Sequence, residues 1–162
     1  MSKAVFTDPW TIVGSVLILS VVAHVAFTSV RAGGGPSTHR ACISNLKQIA
    51  LSLTMYTVEN DDRFPGRDTW MDATSGYIKN DAVLHCPDVM DEASTMYGYA
   101  FNGKLSFAPI PKSGADQVPL VFDSVNLGRN ASGGLDSMPN PPRLGGGNIG
   151  YADGHVKAKR NP

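Results

Sequence analysis

Between Trp10 and Val30 the chain reads WTIVGSVLILSVVAHVAFTSV, 21 residues without a formal charge. Wound as an α-helix at 1.5 Å per residue, such a run spans roughly 30 Å, the thickness of a bilayer's hydrocarbon core. Trp10 stands at one edge, where an indole prefers the membrane–water interface. A cleaved signal peptide has a shorter apolar region and ends on a small-x-small pattern, and neither feature fits here. The run predicts a single-pass transmembrane anchor over 10–31, preceded by a tail over 1–9. Basic residues do not orient it. Lys3 and the amino terminus stand on one side, and Arg31, His39, Arg40 and Lys47 on the other.

After the anchor, Ala32-Gly33-Gly34-Gly35-Pro36 breaks any continuous helix, so 32–37 reads as a Gly/Pro hinge. Ser37 or Thr38 can cap a new helix, which opens a globular domain over 38–162. From Arg40 to Asn60, apolar residues recur at Cys42, Leu46, Ile49, Leu53 and Tyr56, in steps of 3 and 4. Ile43, Ala50 and Thr57 widen the stripe. This predicts an amphipathic helix of about five turns that must pack on something. Asn60 to Gly66 carries turn chemistry that ends it. Thr69 to Ile78 reads as a short helix or irregular structure, and Ala82 to His85 as a brief apolar run. Residues 97–101 alternate as a strand, Val118 to Val125 is a stronger one, and 126–147 reads as a Gly/Pro-rich loop. Asn148 to Lys157 looks like two short strands joined at Asp153-Gly154. One long helix followed by a small antiparallel sheet is an α+β domain.

Fourteen Lys and Arg balance fourteen Asp and Glu, which gives no electrostatic case for nucleic acid. Two cysteines, Cys42 and Cys86, both follow the anchor. An even pair in a small exported domain is compatible with a disulfide, the alternative being two buried free thiols. The oxidised reading places the domain on the extracytoplasmic side.

Chemistry-bearing residues are sparse. His24 lies inside the apolar run, and an intramembrane ionisable group is a functional candidate by default. Its neutral imidazole could ligate the metal of a chlorophyll-type pigment or a haem. The bland reading is a hydrogen bond to a neighbouring helix. His85, Cys86 and Asp88 form one small cluster, and Asp153 and His155 another, but a zinc site wants four nitrogen or sulfur ligands. No serine-hydrolase elbow, P-loop or zinc-protease signature occurs, and Ser124 beside Asp123 is no more than chance supplies. The chain is read as non-enzymatic.

Three ordered segments carry a family resemblance. Cys42 to Leu51 (CISNLKQIAL), followed by Tyr56 and Asp62-Arg63-Phe64-Pro65, is the first. Tyr77-Ile78-Lys79-Asn80 with His85-Cys86-Pro87-Asp88 is the second. Gly145 to Val156 (GGGNIGYADGHV) is the third. Together they resemble bacterial type IV pilin-like proteins, in the pseudopilin branch whose C-terminus carries a His, nine residues, then Asp-Gly. Arg143 stands where that His would be, and no Gly-Phe-Thr-Leu-x-Glu peptidase site precedes the apolar run. The resemblance therefore does not extend to cleavage, methylation or pilus assembly. It implies a pilin-like fold, and calcium in the C-terminal loops with Asp123, Asp136 or Asp153 as weak candidates. It also implies a bacterial inner (cytoplasmic) membrane with the domain in the periplasm.

The expected role is an accessory or structural subunit of a multi-subunit membrane complex, energy-converting or photosynthetic. Its partners would be other integral membrane subunits and the lipid bilayer. Two alternatives stand beside it: a minor pseudopilin of a type II secretion or type IV pilus system, and a periplasmic metal-binding module. The expected contact surface is Ser44, Lys47 and Glu59 together with the loop 126–147.

Overall fold

The computed structural model describes residues 36–89, 95–140 and 147–159. The tail, the anchor with His24, and the glycines of the hinge lie outside these residues. Among the described residues no helix is long and apolar enough to cross a membrane.

Helix α1 runs Pro36–Glu59, 24 residues or about 36 Å of rise. It begins earlier than the Ser37 or Thr38 cap predicts. Pro36 sits in the first turn, where its missing N–H costs no helical bond. The last two hinge residues therefore belong to the helix. Cys42, Leu46, Ile49, Ala50 and Leu53 are all fully buried, as the spacing requires. Tyr56 is only half-buried and packs edge-on against Tyr77, with ring centroids 6.4 Å apart. Asp61 and Asp62 end the helix with φ of 54° and 56°, a left-handed pair that short polar side chains tolerate. The chain then returns alongside residues 107–110, with Phe64 N–H donating to the Ala108 carbonyl at 3.0 Å.

The short helix α2, Trp70–Thr74, buries Trp70, Met71 and Thr74. The Trp70 ring stacks on Phe101 at 6.2 Å, and its Nε1–H donates to the Ala131 carbonyl at 2.9 Å. A 3-10 turn over Asp81–Leu84 follows, capped by the Asn80 side chain, and it buries Val83 and Leu84.

Five strands make one sheet: β1 (Tyr99–Asn102), β2 (Pro119–Asp123), β3 (Ser132–Gly133), β4 (Gly147–Tyr151) and β5 (Val156–Lys159). Their spatial order is β3-β1-β2-β4-β5. The pairs β1/β2, β2/β4 and β4/β5 are antiparallel, with Ala100 opposite Phe122 and Phe122 opposite Ile149. The sheet departs from the expected antiparallel one at its edge, where β3 runs parallel to β1 with Phe101 opposite Ser132. Part of the expected loop 126–147 is thus a strand. The closing hairpin also differs in detail. Tyr151 N–H donates to the His155 carbonyl and Gly154 N–H to the Tyr151 carbonyl, both at 2.9 Å. Ala152, Asp153 and Gly154 form a three-residue loop with Gly154 at φ 88°.

The central strands β1, β2 and β4 are buried on both faces. Tyr99, Phe101, Leu120 and Val121 join the α1 residues in the main core, while Ala100, Phe122, Ala131 and Ile149 form a smaller cluster covered by Met138 and Tyr151. Helix and sheet approach closely at Gly150, where any Cβ would lie 3.1 Å from Val121 Cγ1 and 3.5 Å from Ala50 Cβ. The fold is α+β, with one long helix laid across a five-stranded sheet.

Candidate functional site

The Sγ atoms of Cys42 and Cys86 lie at bonding distance, with Cα atoms 5.2 Å apart. The bond ties the first half of α1 to the chain after the 3-10 turn. Asp88 stands beside it, and the three side chains form the only group of three or more His, Cys, Asp or Glu among the described residues close enough to share an ion. Sulfurs bonded to each other are not thiolates, so the group offers a metal one carboxylate. His85 faces elsewhere: its Nδ1 lies 2.9 Å from the Met96 carbonyl and its ring stacks on Tyr97 at 4.4 Å.

Asp123 is buried at the end of β2, where its Oδ2 accepts from the Asn148 backbone N–H at 2.9 Å and from Asn148 Nδ2 at 2.8 Å. Two N–H donors aimed at one oxygen make it a brace between β2 and β4, whereas calcium recruits oxygens. Ser124 Oγ accepts from Asn126 N–H at 3.0 Å and donates to the Ser137 carbonyl at 3.3 Å, which uses the hydroxyl in turn-making. Asp136 is exposed in a 3-10 turn. Asp153 contacts the Nδ1 of His155 at 2.5 Å, and that ring lies flat on Tyr151 at 4.4 Å. His24 lies outside the described residues.

Within the segment expected to be a free recognition loop, Arg129 and Asn130 are pinned. Asp72 on α2 accepts from Arg129 Nε at 2.9 Å and Nη2 at 2.6 Å, and from Asn130 Nδ2. Asn130, at φ 54°, also accepts from Met71 N–H at 2.7 Å, and Arg129 Nη1 donates to the Tyr97 hydroxyl at 3.0 Å. The Asn130 amide and then the Arg129 guanidinium hold the Asp72 carboxyl below its ordinary value. This clamp seats β3 at the sheet edge.

The solvent face of α1 is where unpaired surface collects. Ser44, Lys47 and Glu59 are exposed there, as the sequence implies. Between them lie Leu51, 56 % exposed, Met55, 44 %, and Val58, 76 %. Steps of 4 and 3 put the three on one stripe opposite the core. A groove of about 210 Å³ runs beside it, between Gln48, Leu51, Ser52 and Met55 on the helix and Tyr77, Ile78 and Lys79 across from them. The Tyr77 hydroxyl donates to Glu59 Oε2 at 2.6 Å, a bond that raises the phenol's pKa and fixes the carboxylate. The sequence reading follows one stripe of α1 and misses this second one, although the same periodicity carries it.

Away from that stripe, Phe107 is 66 % exposed at φ 56°. Arg63 Nη1 donates to its carbonyl at 2.9 Å, and its ring covers Gly66, where any Cβ would meet it at 2.7 Å. No pattern in the sequence marks this corner.

Comparison with protein-family models, curated proteins and solved structures finds no match to this chain.

Proposed function

We propose that this protein is a non-enzymatic, single-pass, pilin-like subunit that works by protein–protein contact within a multi-subunit membrane complex. In this reading the run 10–31 anchors it in a bacterial inner membrane and the α+β domain stands on the extracytoplasmic side. The observation that carries the reading is the exposed stripe Leu51, Met55 and Val58 on a helix fixed to the sheet from behind. A contiguous apolar face on a rigid element is costly in water and is commonly kept for a partner. Two bonded cysteines suit an oxidising compartment. The minor pseudopilin remains the second reading, favoured by the long helix laid on a mostly antiparallel sheet that closes with a hairpin.

The test uses the full chain in its own membrane. The protein should resist high-salt and carbonate washing and, in mild detergent, migrate in a larger assembly. Leu51→Asp with Val58→Asp should release it from that assembly while leaving its thermal melt unchanged. Extraction by carbonate, or an assembly indifferent to the double substitution, would overturn the reading. An intact mass lacking the residues before the apolar run would favour the pseudopilin.

A further inference from the structure

We propose that the outer face of α1 pairs antiparallel with the same face of a second copy of this chain. The inference rests on the reading of that face as a contact surface and names what covers it. The charges on the face are ordered. Arg40 and Lys47 lie toward its beginning, the apolar stripe Leu51, Met55 and Val58 follows, and Glu59, Asp61 and Asp62 lie at its end. Arg63, also at that end, keeps its charge while donating to the Phe107 carbonyl, and Lys79 lies across the groove; three carboxylates against these two cations still leave that end acidic.

Two parallel copies would set cations against cations and acids against acids. An antiparallel pair centred near position 53 sets Leu51 against the partner's Met55, Gln48 against the partner's Val58, and Lys47 against the partner's Glu59. Two-fold symmetry repeats each contact, as in an isologous interface. Helices in such contact sit about 8–10 Å apart, a distance that three exposed aliphatic side chains fill. Glu59 is prepared for the role because the Tyr77 hydroxyl holds its carboxylate in place. An anionic bilayer surface fits the face less well, since Glu59, Asp61 and Asp62 would oppose it.

The experiment is cross-linking of the full chain in mild detergent. In the antiparallel register the cysteine of V58C faces that of Q48C across the pair. Two copies of V58C are then about 15 Å apart along the helix axis, as are positions 48 and 58 within one copy. Mild oxidation should give a covalent dimer from Q48C/V58C and from neither single variant. No dimer, or equal dimer from a single variant, would overturn the proposal. Charge exchange supplies an independent measurement by sedimentation. K47E and E59K should each weaken self-association roughly tenfold, because each sets up two like-charge pairs per dimer, and K47E/E59K should restore it. Failure of the double variant to recover would also overturn the pairing. If the larger assembly persists while the cross-link is absent, the self-pairing fails and the contact function stands. Loss of the assembly itself is the failure of that function.

Discussion

At the scale of single residues, several polar side chains hold the fold together, and Asp72 shows how. Its carboxylate gathers Arg129 and Asn130 from 57 and 58 positions away. Its folded pKa lies below the ordinary carboxyl value of 3.8. The sign follows: a depressed carboxyl adds stability that is fully present above the unfolded value and is lost as pH falls through the lowered one. Because the pair is exposed, the contribution should be about 1 kcal/mol or less. Asp72→Asn should therefore be slightly less stable than the parent at pH 6. The two should converge as the pH drops below 3.8, read by urea denaturation at each pH. This partnership was not legible in the sequence, since nothing local to Asp72 points to Arg129. The cysteine pairing was legible as one of two options, because only two cysteines exist.

At the scale of elements, the long helix has two faces with different duties. Leu53 is fully buried against the sheet, so Leu53→Ala should cost roughly 2–5 kcal/mol in chemical denaturation. Val58→Ala, on the exposed stripe, should change stability by no more than about 0.5 kcal/mol. Equal costs would mean that the outer face is packed. The helix, the strands near 97–101 and 118–125 and the closing hairpin could be read beforehand because their periodicities are strong. β3 could not. Ser132–Gly133 has no alternation to detect and becomes a strand only because β1, the Trp70 bond to the Ala131 carbonyl and the Arg129 clamp place it there. The loop reading of 126–147 missed this two-residue strand for that reason: long-range contacts outweighed a loop-like composition there. Phe107 was equally hidden, because its exposure depends on a left-handed turn braced by Arg63.

At the scale of the whole molecule, the α+β class followed from element order, while the mixed sheet followed from tertiary contacts. The bond between Cys42 and Cys86 spans 44 positions in sequence. On the loop-entropy account it stabilises by roughly 3–4 kcal/mol. Replacing both cysteines by serine should lower the denaturation free energy by that amount; a change within error would mean that packing alone sets the geometry.

The same bond has a mechanical consequence. A pull applied through the amino-terminal end of the chain reaches α1 first and arrives at Cys42 within two helical turns of Pro36. There the load divides and passes through sulfur to Cys86. The chain between the two cysteines is then short-circuited and cannot pay out, which removes about 150 Å of extension at 3.3–3.6 Å per residue. The inner face of α1, with Leu46, Ile49 and Leu53, lies within that protected span. Under tension from its front end that span would thus stay short even if the helix came loose from the sheet.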